Sequence, residues 1–440
     1  MSNAQVELVY DVEEKPRSIK DTFFYSVQWI LMMFYPVVWG YAIVGLGLGL
    51  SGEVLASYMG RVVLMIGICT LVQAATGHRF AMVSGPNIIP SLAIVAAYVV
   101  GGQEYALLSF NAYIIAGIVV AILGGLGLIS YIGKVWTPLV LGAMVMMVAL
   151  ATSHVGMELI AEHGFGWPFF AGIILALLCG YSSIKGKGLL ATVPVMVAIA
   201  LGYFVFIVLG EFDWELVSIM PTISIPTLFP FGMEIPPLDL IFTMIVVNIF
   251  AAINLYGNIQ GYAGVIGADV PVTREKRYFT IFGLVEGSLT GVLGVPSHVS
   301  YGENIGLILL TKVAARVFIL IAAVVFIILS FFGPIGGFMA AMPPPVAGAV
   351  LLGIASTLIG LGANYWQQGS KFGTREIFIV GFSVFFSLGM SLLPEELLEV
   401  LPRLIGTIFG NPVITVIIAV IVLEQIIFRE EDVQKEDAQE

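Results

Sequence analysis

Charge is scarce in this chain: Asp, Glu, Lys and Arg together make up 11% of 440 residues, against about 25% in soluble domains. Cysteine is scarcer still. Cys69 and Cys179 both lie inside apolar stretches, which argues against a disulfide framework or a cysteine metal site. The first twenty residues are polar and acidic, with neither an apolar core nor a small-residue cleavage site, so a cleaved signal peptide is not expected. No His-Glu-x-x-His, Gly-x-Ser-x-Gly or paired catalytic Asp occurs, and an enzyme is not expected.

What is abundant is apolar surface, 59% of residues with a mean hydropathy of +1.02. That excludes a soluble enzyme and a nucleic-acid binder. The runs are too long and unbroken for barrel strands of about 10 alternating residues. At about 20 residues per helix, fourteen spans would need roughly 280 residues. The expectation is an all-α polytopic membrane protein embedded in a lipid bilayer. Its fourteen segments fall near 22–48, 54–76, 84–101, 106–131, 135–154, 167–183, 188–210, 239–264, 278–294, 296–312, 313–333, 343–361, 375–393 and 411–428.

The positive-inside rule checks that count. With both termini cytoplasmic, sixteen of the eighteen basic residues fall on one side, among them Arg17, Arg79, Lys134, Lys187, Arg274, Arg316, Lys371 and Lys435. Arg61 and Arg403 alone fall outside, where the loops are acidic. The net charge of −11 is concentrated in those loops and in two tails expected to be solvated.

A repeat is also visible. Pro138, Val140, Gly142 and Ala143 of the fifth segment recur as Pro344, Val346, Gly348 and Ala349 of the twelfth, at a constant offset of 206. The third segment begins Met82-Val83-Ser84-Gly85-Pro86-Asn87, and the tenth begins Val295-Pro296-Ser297-His298-Val299-Ser300. Both starts favour turns and extended backbone over helix. Two halves of seven spans must be inverted relative to each other. Paired broken segments in inverted halves point to a secondary transporter with its site at the midplane.

Ionisable residues inside spans are functional candidates because they are costly there. Two carboxylates qualify, Glu286 in segment nine and Glu303 at the tenth helix start. Glu303 follows Gly302, where backbone can approach a ligand closely, and it would accept N–H bonds from a planar ligand. Glu286 is either a proton site or a partner for an Asn or Gln across the bundle. His298 is a further proton-coupling candidate or simply satisfies backbone groups. Asn254 and Asn258 share a helix face, and Gln28 and Asn87 complete the polar set. His78, beside Arg79, reads as an interfacial residue.

The stretch Glu303-Asn304-Ile305-Gly306, four residues, then Thr311-Lys312 resembles the signature of the nucleobase–ascorbate transporter family, and every fixed position is met. Ser300-Tyr301-Gly302 is similar to the bacterial uracil permeases. The resemblance implies a seven-plus-seven inverted repeat with short strands in segments three and ten. A core would comprise residues 22–131 and 239–333, and a gate residues 132–211 and 334–428. Around these would lie tails at 1–21 and 429–440 and an extracytoplasmic loop at 212–238. It implies substrate contacts from Glu303, Gly302, Asn304, Asn87 and Ile88, and a homodimer through the gate. Two departures stand out: Gln28-Trp29 replaces the family's Gln-His, and Asn254 and Asn258 fall where relatives carry Glu and His.

The expected function is secondary transport of a nucleobase, a purine such as xanthine or hypoxanthine or else uracil, across the cytoplasmic membrane by alternating access. No cofactor is called for, and a proton gradient is the candidate energy source. The alternatives are an uncoupled facilitator or exchanger, and a sulfate- or bicarbonate-type anion transporter on the same architecture.

Overall fold

The computed structural model describes residues 7–132, 136–186, 193–368 and 372–429. The topological markers Lys134, Lys187, Lys371 and Lys435, and nearly all of the C-terminal tail, lie outside the described residues. The chain is mostly helical. Its first half contains α1 (Ile19–Trp39), α2 (Gly52–Thr76), strand β1 (Ser84–Pro86), α3 (Ile88–Leu126), α4 (Pro138–Ala161), α5 (Trp167–Lys185) and α6 (Pro194–Val208). The second half contains α7 (Leu238–Ile266), α8 (Val272–Ile281), strand β2 (His298–Ser300), α9 (Asn304–Thr311), α10 (Arg316–Ser330) and α11 (Gly333–Ala340). It ends with α12 (Pro344–Gln368), α13 (Thr374–Ser391), α14 (Arg403–Gly410) and α15 (Pro412–Val422). Among the described residues, eight helices are long and apolar enough to cross a membrane, or nine if the α14–α15 pair, bent by 92°, is one span. The other expected spans are shorter or broken helices.

The two expected breaks are the only strands among the described residues, and they pair with each other. Ser84 opposes Ser300, Gly85 opposes Val299 and Pro86 opposes His298 in an antiparallel ladder. Backbone polar groups this deep must be satisfied within the protein. The ladder does so with help from α2 and the neighbouring loops: the Ser84 amide donates to Thr70 Oγ1 at 2.9 Å, the Tyr301 amide to the Val83 carbonyl at 2.9 Å and the Asn87 amide to the Ser297 carbonyl at 2.9 Å. Segments three and four meet without a loop: α3 runs through both, broken at Gly102, whose φ of 75° and ψ of −178° only glycine adopts readily. A π-helical stretch continues α1 over Gly40–Gly45, and another follows α8 over Phe282–Leu289.

One expectation is corrected. The N-terminal segment is not a solvated tail over residues 9–17. The Val9 amide donates to the Lys312 carbonyl at 2.7 Å, and the Arg316 amide donates to the Val12 carbonyl at 3.1 Å. Glu13 bridges Arg79 at 2.9 Å and Arg316 at 2.6 Å, and Arg316 also donates to the Ala74 and Ala75 carbonyls at the end of α2. The segment straps α2, α9 and α10 together. Arg61 lies within α2, as the second expected segment has it, 3% exposed, donating to Ser57 Oγ at 2.8 Å, with its guanidinium 5.7 Å from the Phe231 ring centre.

Candidate functional site

Two segment starts and one long helix converge on a cavity of about 60 Å³, room for about four waters at roughly 10–15 Å³ each. From the third segment come Pro86, Asn87 and Ile88; from α7, Asn254, Gly257 and Asn258; from the tenth segment, Val299, Tyr301, Gly302 and Glu303. The local chemistry explains the placement. Asn87 caps α3 by accepting the Ile89 amide on Oδ1 at 3.0 Å, which leaves its buried Nδ2 without a hydrogen-bond partner. A buried donor left open beside a cavity is a candidate binding group, because leaving it unpaired costs about 1–3 kcal/mol.

Glu303 stands at the N-cap of α9, but its side chain makes no capping bond. It is half-buried and takes part in none of the ion pairs among the described residues. Its carboxylate stands at the positive end of a helix and lines the cavity. Asn258 Nδ2 donates to the Ser300 carbonyl at 2.9 Å and lies 3.3 Å from Asn254 Oδ1, fixing α7 to β2. The Asn254 amide nitrogen reaches nothing nearer than Met144 Sδ at 4.0 Å. The Tyr301 hydroxyl donates to the Pro86 carbonyl at 2.6 Å, clamping the two strand ends.

The opposite wall was not foreseen. Leu141, Met144, Val145 and Val148 of α4, with Leu358 and Leu361 of α12, face the polar groups. Their pattern in the chain is that of any lipid-facing span. Trp39 at the end of α1 also lines the cavity, with its indole Nε1 unpartnered. Tyr365 completes the α12 contribution.

Six expected residues thus share one cavity: Glu303, Gly302, Asn254, Asn258, Asn87 and Ile88. The rest do not line it. Gln28 is buried within α1, and Asn304 braces the turn by donating to the Tyr301 carbonyl at 2.7 Å. His298 is fully buried, with Nδ1 against the Pro296 carbonyl at 2.8 Å and Nε2 unpartnered. Glu286, fully buried, accepts from Gln73 Nε2 at 2.8 Å, a partner across the bundle. His78 is not interfacial: it is fully buried, with Nε2 3.0 Å from Ser300 Oγ.

A model of the permease family that groups xanthine and uracil permeases matches residues 20–396. The chain belongs to this family. It is 25% identical to the xanthine permease XanQ of Escherichia coli K12 over 94% of the chain and 92% of that protein. It is 26% identical to a uracil permease of Bacillus caldolyticus, over 88% of the chain and 89% of that protein. This permease-family chain is therefore a multi-pass membrane transporter and not an enzyme. Its fold is that of the transmembrane domain of a cyanobacterial bicarbonate transporter, BicA, with a TM-score of 0.61 at 14% identity over 89% of the chain and 97% of that domain. The anion transporter SLC26A9 shares the fold at a TM-score of 0.59 and 13% identity, over 92% of the chain and 66% of that protein.

Proposed function

We propose that the chain carries a nucleobase, uracil or a xanthine-like purine, across the cytoplasmic membrane by proton-coupled alternating access, with both termini in the cytoplasm. The single observation that carries the substrate class is the make-up of the cavity: one unpaired carboxylate, open amide and indole donors, and no Lys or Arg among its lining residues. An anion would be repelled by Glu303 with no cation to offset it. A flat lactam offers adjacent N–H and C=O groups, so its N–H groups would donate to Glu303 while its carbonyls accept from Asn87, Asn254 and Trp39. The permeases for xanthine and uracil among its relatives support the same reading.

Glu303 anchors the base and the wall formed by α4 and α12 slides across it. In this reading α1–α3 and α7–α10 form the core, α4–α6 and α11–α15 the gate, and the gate carries a homodimer contact. The antiparallel pairing of β1 with β2, the third and tenth segment starts, supports inverted halves. Proton coupling has Glu303, Glu286 and His298 as its candidate groups; uncoupled exchange is the competing mode.

The test is binding and uptake of radiolabelled uracil and xanthine by purified protein in liposomes, with sulfate and bicarbonate as competitors. Glu303→Gln removes charge-assisted hydrogen bonds worth about 1.5–3 kcal/mol, so Kd should rise roughly 10- to 150-fold. Neither base binding, or a variant that binds as tightly as the native protein, would sink the assignment.

A further inference from the structure

The β1–β2 ladder has two faces. Alternation along β2 turns Val299 and Tyr301 toward the cavity and His298 and Ser300 away from it. On that far face lies a buried line of hydroxyl, imidazole and carboxyl groups that substrate binding does not use. His78 Nε2 is 3.0 Å from Ser300 Oγ. Ser300 Oγ is 2.7 Å from Ser84 Oγ, directly across the ladder. The Ser84 hydroxyl neighbours the Glu286 carboxyl, whose Oε2 accepts from Gln73 at 2.8 Å while Oε1 is unpartnered. All five side chains are fully buried.

The direction of this line follows from one backbone group. The Phe80 amide donates to His78 Nδ1 at 3.0 Å, so the neutral ring carries its proton on Nε2 and donates to Ser300. In the orientation that leads to the carboxyl, Ser300 donates to Ser84, and the Ser84 hydrogen turns toward Glu286, a near neighbour whose Oε1 is open to receive it.

We infer that His78, Ser300, Ser84 and Glu286 form a proton relay through the strand pair, delivering the coupling proton to Glu286 from the His78 end. The step balances as follows. When the Phe80 amide releases Nδ1 and His78 takes a proton there, the imidazolium passes its Nε2 proton to Ser300 Oγ. Ser300 passes its own to Ser84 Oγ, and Ser84 its own to the Glu286 carboxylate. A cation and an anion become neutral His78, protonated on Nδ1, and neutral Glu286, with both hydroxyls reversed. Arg274 on α8 faces His78 and opposes a resident imidazolium, so the charge moves on rather than staying. Around Glu286 the packed groups are Cys69 and Gln73 of α2, and the Gln73 amide also lies 3.2 Å from the Tyr278 carbonyl. No cation among these holds Glu286 ionised.

Ser300 makes the relay a coupling device. Its hydroxyl sits in the proton line, while its carbonyl accepts from Asn258 on the substrate side. A base that draws on Asn258 or Gly302 shifts the same residue that must align for proton transfer.

This inference rests on the transport reading for its physiological meaning, but it has a readout that needs no substrate. In the full-length protein, the infrared carbonyl band of protonated Glu286, identified by its absence in Glu286→Gln, is followed after a drop in pH. His78→Gln keeps a donor to Ser300 but cannot relay, and Ser300→Ala cuts the line. Each should slow the band by about 10²-fold, the lower end of what a positioned proton-transfer group contributes. In liposomes, His78→Gln should lose accumulation of radiolabelled uracil or xanthine driven by a proton gradient while keeping substrate exchange at equal pH. Band formation at the native rate in both variants would overturn the relay. Absence of exchange in the native protein would instead overturn the nucleobase reading and leave the infrared result to decide the relay.

Discussion

Gly85 is the residue on which the strand crossing depends most directly. It lies opposite Val299 in the ladder, with its Cα turned toward the proline that interrupts α1. A Cβ at Gly85 would overlap the Pro36 ring, with its Cγ only 3.0 Å away, and would come within 2.9 Å of Tyr301 Oη. Carbon atoms prefer about 3.5–4.0 Å, so the strand must retreat from α1 by roughly half an ångström or more. The ring cannot swing aside, because proline fixes φ and is held within a helix. Tyr301 is also constrained, since its hydroxyl is bonded to the Pro86 carbonyl at 2.6 Å. Gly85→Ala should therefore cost about 1–3 kcal/mol for overpacking, plus about 0.5–1.5 kcal/mol if the tyrosine bond breaks. The assay is thermal unfolding in detergent combined with base binding. The variant should unfold earlier and bind base more weakly, since Pro86 and Tyr301 both line the cavity. Native stability together with native affinity would refute the reasoning, because the strand could then move without disturbing the site.

Gly302→Ala is a milder intrusion: its Cβ would come 2.8 Å from Asn258 Oδ1, the end of a side chain, so affinity for base should fall while the melting temperature changes little. Gly102→Ala meets nothing within 4 Å but forces alanine into a glycine-only backbone region, and thermal unfolding should show a loss of about 1–3 kcal/mol. Acid should loosen the N-terminal strap. The Asp11 amide and then the Arg17 guanidinium hold the Glu14 carboxyl below the usual range. Its contribution is therefore present above the ordinary carboxylate pKa and lost as pH falls through the depressed one. Hydrogen exchange of residues 9–14 should accelerate over that window, and Glu13→Gln should speed it already at neutral pH.

How much could be read from the chain follows from what the membrane makes costly. Glu303 was legible because a carboxylate in a span is expensive and this one sits in a family motif. The breaks at Ser84 and at His298 were legible because proline, glycine and serine interrupt otherwise apolar runs. That the two breaks pair, and in which register, was not: Ser84 and Ser300 are far apart in the chain, and each strand is too short to show a pattern. The wall formed by Leu141, Met144, Leu358 and Leu361 could not be told from lipid-facing surface, since both environments select the same apolar side chains. His78 misled for a related reason. A histidine just past a helix end, next to arginine, has the local signature of an interface, and only tertiary packing places it against Ser300. That Arg61 packs beside Phe231 was not legible, since the two are far apart in the chain.

The contrast between the two walls of the cavity has a mechanical consequence. On the proposed reading, directional bonds to a bound base form mainly with Glu303, Asn87, Trp39 and the α7 amides, and α12 brings one polar group to the cavity, the Tyr365 hydroxyl. The aliphatic side chains of α4 and α12 offer contact without hydrogen bonds, and contact of that kind is nearly indifferent to small shifts in register. A base held this way is cargo fixed to one body and merely in touch with the other. On that reading, relative displacement of the two would break at most a Tyr365 bond to the cargo, and the barrier to movement would be set mainly by side-chain packing along the apolar wall.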